Sequence, residues 1–228
     1  KGELKFISLK DKIPEEYQSF GTVWEVDYYK NRVIFRTTNR LYIWDGDKMK
    51  VVVSEDAFHV GKIVHDVYYI RIWNRGLCYM TEDDTFELVP GGEIFADERV
   101  YLILPYDDNQ VLIGSRLMGF FLYDGKSFKP FKTDLGPEVL QAIYLPGIAL
   151  ENGNFIVNTF AEGTYLMDHN GKLIQKYTTA NGLQDGSTSY VYLDSRGVLW
   201  MPLFNGISKI NLNSSITVLD TNMGLSTK

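Results

Sequence analysis

The chain has 228 residues, of which 45% are hydrophobic and 14% aromatic, and its formal net charge is −6. That is enough apolar material for a sizeable core, while the acidic balance excludes a broad phosphate-binding surface, which needs a basic stripe, and a polybasic membrane patch. The one cysteine, Cys78, lies in the apolar run Leu77-Cys78-Tyr79-Met80, which excludes a disulfide framework or a Cys-based zinc site and reads as a buried structural thiol.

The chain opens on Lys1 in mid-pattern, with no signal peptide or membrane-spanning run, and is expected to be a piece of a longer protein. Residues 1–11 read as an outer strand left from a preceding copy, because Gly2-Glu3-Leu4-Lys5-Phe6-Ile7 resembles Gly171-Lys172-Leu173-Ile174-Gln175-Lys176. Pro14-Glu15-Glu16-Tyr17 suits one helical turn, and little other helix is expected.

From there a pair of apolar strands recurs five times. The first of each pair holds Val33-Ile34-Phe35, Tyr69-Ile70-Arg71-Ile72, Leu112-Ile113-Gly114, Ile156-Val157-Asn158 and Leu199-Trp200-Met201. The second starts at Leu41, Leu77, Phe120, Thr164 and Ile207, preceded in the last four by Gly76, Gly119, Gly163 and Gly206. Counted from Arg40, which replaces that glycine in the first copy, the steps are 36, 43, 44 and 43 residues. A repeat of roughly 40–45 residues with several strands per copy marks a β-propeller. The fold class is therefore all-β: a single propeller-type domain over residues 1–228, with about five four-stranded blades near 18–55, 57–90, 95–133, 140–179 and 186–222, either closed or an open arc.

Inner strands are expected near residues 23–28, 63–67, 100–104, 145–150 and 190–193, and an outer strand at 216–219 closes the fifth copy. Turns fall at Lys30-Asn31, Asp45-Gly46-Asp47, Asp83-Asp84, Asp107-Asp108-Asn109, Asp124-Gly125-Lys126, Asn152-Gly153, Asn170-Gly171 and Asp194-Ser195-Arg196-Gly197. The second copy lacks a turn signal between His65 and Ile72, so a tight or irregular hairpin is expected there, with His65 beside Asp66 on an inner strand facing the channel.

Asn181-Gly182-Leu183, then Tyr190 to Trp200 with Asp194-Ser195-Arg196-Gly197-Val198-Leu199-Trp200, then Asn205-Gly206-Ile207, resembles the two-component regulator propeller repeat, and Met223-Gly224-Leu225-Ser226 is similar to the start of one more copy. The resemblance implies a periplasmic sensor region of a membrane-bound regulator whose output is a histidine kinase or a helix-turn-helix transcription factor. It further implies a carbohydrate-derived ligand, and a second propeller or homodimer partner. None of the output modules is in this sequence.

No chemistry of catalysis is readable. The Asp194 turn with Trp200 is similar to the sialidase Asp-box, but two residues separate Asp from Gly where that motif needs one. Glu25, Asp27 and Asp66 are the carboxylates that a propeller glycosidase or lyase could use, and Asp83-Asp84 and Asp107-Asp108 read as solvated turns. His59, His65 and His169 have no metal-ligand spacing, so neither a metal nor a cofactor is expected. Asn213-Ser214-Ser215 reads as a turn despite fitting a glycosylation sequon. The expectation is a non-catalytic sensory domain, with a propeller enzyme or a protein-binding scaffold as the alternatives. The candidate ligand-binding residues lie mostly in the loops between second and third strands: Arg40, Trp73, Arg75, Arg116 and Asn205, with His65 added from the inner strand. Arg forks to anionic groups and aromatic rings stack on sugars, so a ligand at that rim is expected to be anionic, such as an acidic oligosaccharide; the alternative is that these residues are only solvated hairpin tips.

Overall fold

Short antiparallel β-strands joined in sequence by turns and loops account for most of the described chain from Glu25 onward. The computed structural model describes residues 5–142, 147–188 and 190–212. They fall in two units, Lys1–Asp97 and Glu98–Lys228.

The first unit holds two sheets. Strands β1 (Glu25–Tyr29), β2 (Arg32–Arg36), β3 (Arg40–Trp44) and β4 (Met49–Val53) form one, and β5 (Phe58–Val64), β6 (Val67–Ile72), β7 (Gly76–Met80) and β8 (Phe86–Leu88) the other. The second unit holds three: β9 (Val100–Pro105), β10 (Val111–Ser115), β11 (Gly119–Tyr123) and β12 (Phe128–Phe131); β13 (Ile148–Ala149), β14 (Phe155–Asn158), β15 (Thr164–Met167) and β16 (Leu173–Tyr177); and β17 (Tyr192–Leu193), β18 (Val198–Leu203) and β19 (Gly206–Asn211). Every sheet is an antiparallel meander in chain order, so the protein is an all-β propeller-type repeat of five blades. The α-helical content among the described residues is the five-residue α1 (Pro137–Gln141).

Burial holds neighbouring blades together. In the first unit Ile34, Leu41 and Ile43 pack with Tyr68, Ile70, Ile72 and Cys78. In the second, Leu102, Leu112 and Phe120 pack with Phe155, Val157 and Tyr165. On the other face of β14, Ile156 joins Leu199, Met201 and Leu203. β14 is covered on both faces, by the third sheet on one side and the fifth on the other, which is why Phe155-Ile156-Val157 reads as a continuous apolar run rather than an alternating one. Cys78 is fully buried and burial raises its thiol pKa, as suits a structural residue.

The turns carry their own chemistry. Asp45, Asp107, Asp124, Asp168 and Asp194 each accept backbone N–H groups of the following residues on Oδ1, closing the hairpin from the side chain. Asp194 also takes Arg196 and, at 3.1 Å, the Trp200 indole N–H on Oδ2, and these contacts hold its carboxyl well below the usual carboxylate range. The Asp-to-Trp spacing of the fifth copy is thus a turn clamp.

Four expectations are corrected. Residues 5–9 form no strand and lead into a single 3-10 turn, Lys10–Lys12; the segment through Phe20 lies on the first sheet instead, with Phe20 and Tyr42 rings 5.1 Å apart and Tyr42 Oη donating to the Tyr17 carbonyl at 2.9 Å. The 3-10 turn Glu15–Tyr17 is where Pro14 suggests it. The second inner strand is β5 rather than residues 63–67, because His65 and Asp66, with φ of 50° and 58°, form a two-residue hairpin turn. His65 and Asp66 are therefore exposed turn residues and not strand residues. Residues 145–146 of the fourth inner strand, the strand at 216–219, the sequon at 213–215 and the motif at 223–226 lie outside the described residues.

Asp84 is the fourth correction. It is buried, 4% exposed, rather than solvated. From the β7–β8 turn its carboxylate meets Arg32 of β2 at 2.8–2.9 Å and Lys50 of β4 at 2.7 Å, joining the first two blades. Burial works to raise its pKa, but the hydrogen bonds and charges of Arg32 and Lys50 outweigh it and hold the carboxyl below the ordinary 3.8. Asp84→Ala leaves two cations facing each other. With Lys50 half-exposed, the expected loss is about 2 kcal/mol in urea denaturation at neutral pH. A folded pKa below the unfolded one means this stabilisation is complete above about pH 4 and fades as the pH falls further, so the wild-type and mutant curves should converge in acid.

Candidate functional site

Strand β1 alternates. Val26 and Tyr28 face outward, 56% and 68% exposed, while Glu25, Asp27 and Tyr29 face the second sheet. The β1–β2 register sets Arg36 directly opposite Glu25, and Arg36 Nη2 lies 3.2 Å from Glu25 Oε2. Lys62 of β5 pairs with the other Glu25 oxygen. Arg36 is only 4% exposed, and its Nη1 donates to the His59 carbonyl at 2.8 Å. One carboxylate thus binds two cations from two further strands.

Asp27 stands two residues along the same face and is held differently. Its one side-chain hydrogen bond among the described residues comes from Tyr68 Oη of β6, at 3.4 Å. Burial, and after it the negative charge of Glu25, push its pKa from 3.8 up to about 6; Lys62, Arg36 and the Tyr68 hydroxyl pull the other way without prevailing. Tyr68 is fully buried, and its phenol is pushed up in turn by burial and by Asp27.

The backbone is shaped to allow this contact. The β5–β6 pairing slips between Phe58 and Gly61, a bulge. A Cβ at Gly61 would stand 2.6 Å from Tyr68 Oη, so only glycine admits the phenol at that position. Two carboxylates on one strand, one clamped by cations and one loosely held with a raised pKa, give a seam that can exchange a proton near neutral pH and receive a hydrogen-bond donor.

The loop arginines singled out from sequence are engaged within the fold. Arg40 lies over the Tyr17 ring at 5.3 Å and donates to the Ser19 carbonyl at 2.9 Å. Arg75 donates to the Phe86 carbonyl at 2.8 Å, and Arg116 to the Gln141 carbonyl at 3.1 Å. Trp73 is half-buried, with the Arg71 guanidinium 3.6 Å from its ring on one side and the His59 ring 5.9 Å away. Trp73 and Arg75 share the β6–β7 loop, whereas His65 caps the opposite end of β6. Asn205 is exposed in the β18–β19 turn beside Phe204, which is 73% exposed. In the first unit an apolar cavity of about 380 Å3, lined by Ile7, Leu9, Ile13, Phe20, Phe35 and Tyr42, has Lys10 as its one charged group.

Sequence reasoning found Glu25 and Asp27 but missed Arg36, Lys62 and Tyr68. The available signal was a cation at a position where the strand pattern calls for an inward-facing residue, since charges are seldom buried unpaired.

This fold has known counterparts. The extracellular domain of the hybrid two component system BT3049 from B. thetaiotaomicron matches with a TM-score of 0.69 at 15% identity, over 89% of this chain and 28% of that one. The extracellular domain of the one component system BT4673 from the same organism gives 0.59 at 15% identity, over 81% and 26%. Virginiamycin B lyase from Staphylococcus aureus gives 0.59 at 9% identity, over 83% and 69%. The chain is a β-propeller segment. It spans little more than a quarter of the length of the two extracellular domains. No family model and no curated protein sequence matches it.

Proposed function

We propose that the chain is part of the extracytoplasmic sensory region of a membrane-anchored signalling receptor, and that it responds to a carbohydrate-derived ligand without transforming it. The observation that carries this is the fold shared with the BT3049 extracellular domain over 89% of the chain, together with the Asn181 to Gly206 repeat motif. Ligand binding would work by favouring one of two arrangements of the receptor, so the output module is biased by the difference in affinity. The test is a transcriptional reporter driven by the complete receptor. Oligosaccharide fractions should raise output several-fold, and removal of this segment should abolish the response. A receptor that responds equally well without the segment overturns the reading.

One observation favours a second reading, a lyase or glycosidase. Glu25 and Asp27 share a strand face in environments that differ as an acid–base pair requires, and a propeller lyase has the same fold. Product analysis after incubating the purified segment with polysaccharides separates the two: the sensory reading expects no turnover, and turnover abolished by Asp27→Asn would establish the enzyme.

A further inference from the structure

We propose that the seam between β1 and β5 is a binding site for an uncharged, hydroxyl-rich ligand, held through the Asp27 carboxylate with release of a proton to solvent. This deepens the sensory reading and rests on it for its biological meaning; the binding itself does not. It places the ligand at the seam, not at the loop arginines, and it changes the ligand's charge.

The charge balance selects the ligand. Glu25 and Asp27 stand against Arg36 and Lys62, so the ionised seam is neutral as a set. An anion would meet two carboxylates and a cation two bases, each in a half-buried setting where like charges are poorly screened. An uncharged polyol adds no charge, and its hydroxyls both donate and accept.

The groups are also unequally occupied. Glu25 is taken by Arg36 and Lys62, and Arg36 is further tied to the His59 carbonyl. Among the described residues, Asp27 has only the long Tyr68 hydrogen bond, on one oxygen. The groups facing it are Glu25 on its own strand, Arg36 on β2, Lys62 on β5 and Tyr68 on β6. The glycine and bulge of β5 let Tyr68 reach Asp27 and fix where the carboxylate stands. A ligand hydroxyl donating to Asp27 forms a charge-assisted hydrogen bond, stronger to the carboxylate than to the acid. Binding therefore favours the ionised form, and the proton held by the free site in mild acid leaves Asp27 for the buffer.

The test is calorimetric titration of a panel of neutral di- to hexasaccharides, with galacturonate and glucosamine oligomers of matching size, in two buffers of different ionisation enthalpy. A neutral member should bind, release close to one proton per site at pH 5, and lose affinity about tenfold for each pH unit below 6. Asp27→Asn, with its fold checked by thermal melt, should abolish the proton release and flatten the pH profile. No neutral binder, binding confined to charged oligomers, or binding that Asp27→Asn leaves unchanged in affinity and proton release would each overturn the inference. A ligand that binds elsewhere on the segment and drives the reporter would leave the sensory reading standing, whereas binding at Asp27 with a silent reporter would sink the sensory reading and keep the site.

Discussion

Asp27→Asn should make the protein more stable at neutral pH. The carboxyl titrates at about 6 in the fold against 3.8 unfolded, so the native state binds more protons than the unfolded chain between those values. Stability therefore falls as the pH rises through that window, and the full cost is present above it. At about 1.4 kcal/mol for each tenfold change, the ceiling is about 3 kcal/mol, and about 2 is expected once relaxation of the half-buried site is allowed for. Asparagine keeps the shape and an acceptor for Tyr68 but carries no charge. Urea denaturation at pH 7.5 should show the gain, and at pH 3.5 the two proteins should coincide. An equal gain at both values would mean that the effect is packing and not charge. A carboxylate whose charge costs stability at neutral pH is consistent with the proposed binding role, by the logic of strained sites. Glu25 gives the contrast: Glu25→Gln should destabilise at neutral pH, because it removes the partner of two cations, one of them buried.

The blade pattern was legible because its signals are local. Asp45, Asp124 and Asp168 close their turns through their own backbone neighbours, so composition alone marks those hairpins. The recurring glycine is local too: in the last four copies it sits where the chain leaves the second-to-third-strand loop. Long-range pairing was not legible. Asp84 looks like any turn aspartate until β2 and β4 bring Arg32 and Lys50 to it, and Asp27 differs from the exposed turn residue Asp66 because its strand face is covered and set among Glu25, Arg36, Lys62 and Tyr68. The tight hairpin expected in the second copy is present, but its place at His65-Asp66 was hidden for the opposite reason. Both residues take left-handed φ without the Asn-Gly signature, and the Asp66 carbonyl is instead held by Tyr29 Oη at 3.1 Å. The loop arginines stood out as cations in an acidic chain, yet each is tied to a main-chain carbonyl, a use that residue type alone cannot reveal.

The recurring glycines should not be equivalent, and Gly76→Ala should be far more damaging than Gly119→Ala. Gly76 has φ of +112°, where a Cβ is strained, and the added carbon would also lie 2.1 Å from the Gly92 carbonyl oxygen. That obstacle is backbone, fixed by the 3-10 turn Gly92–Phe95, and Arg71 anchors the same turn by donating to the Phe95 and Ala96 carbonyls at 3.0 and 2.6 Å. Neither wall can move without breaking a buried contact, so strain and overpacking add to about 4 kcal/mol. Gly119 has φ of +85°, but its Cβ would meet only the tip of Leu140, at 3.8 Å. Its alanine variant carries the conformational cost alone, about 1 kcal/mol. Denaturation of the two variants side by side is the measurement. A loss at Gly119 equal to that at Gly76 would show that φ dominates at both sites and that the packing of the 92–95 turn is looser than its contacts imply.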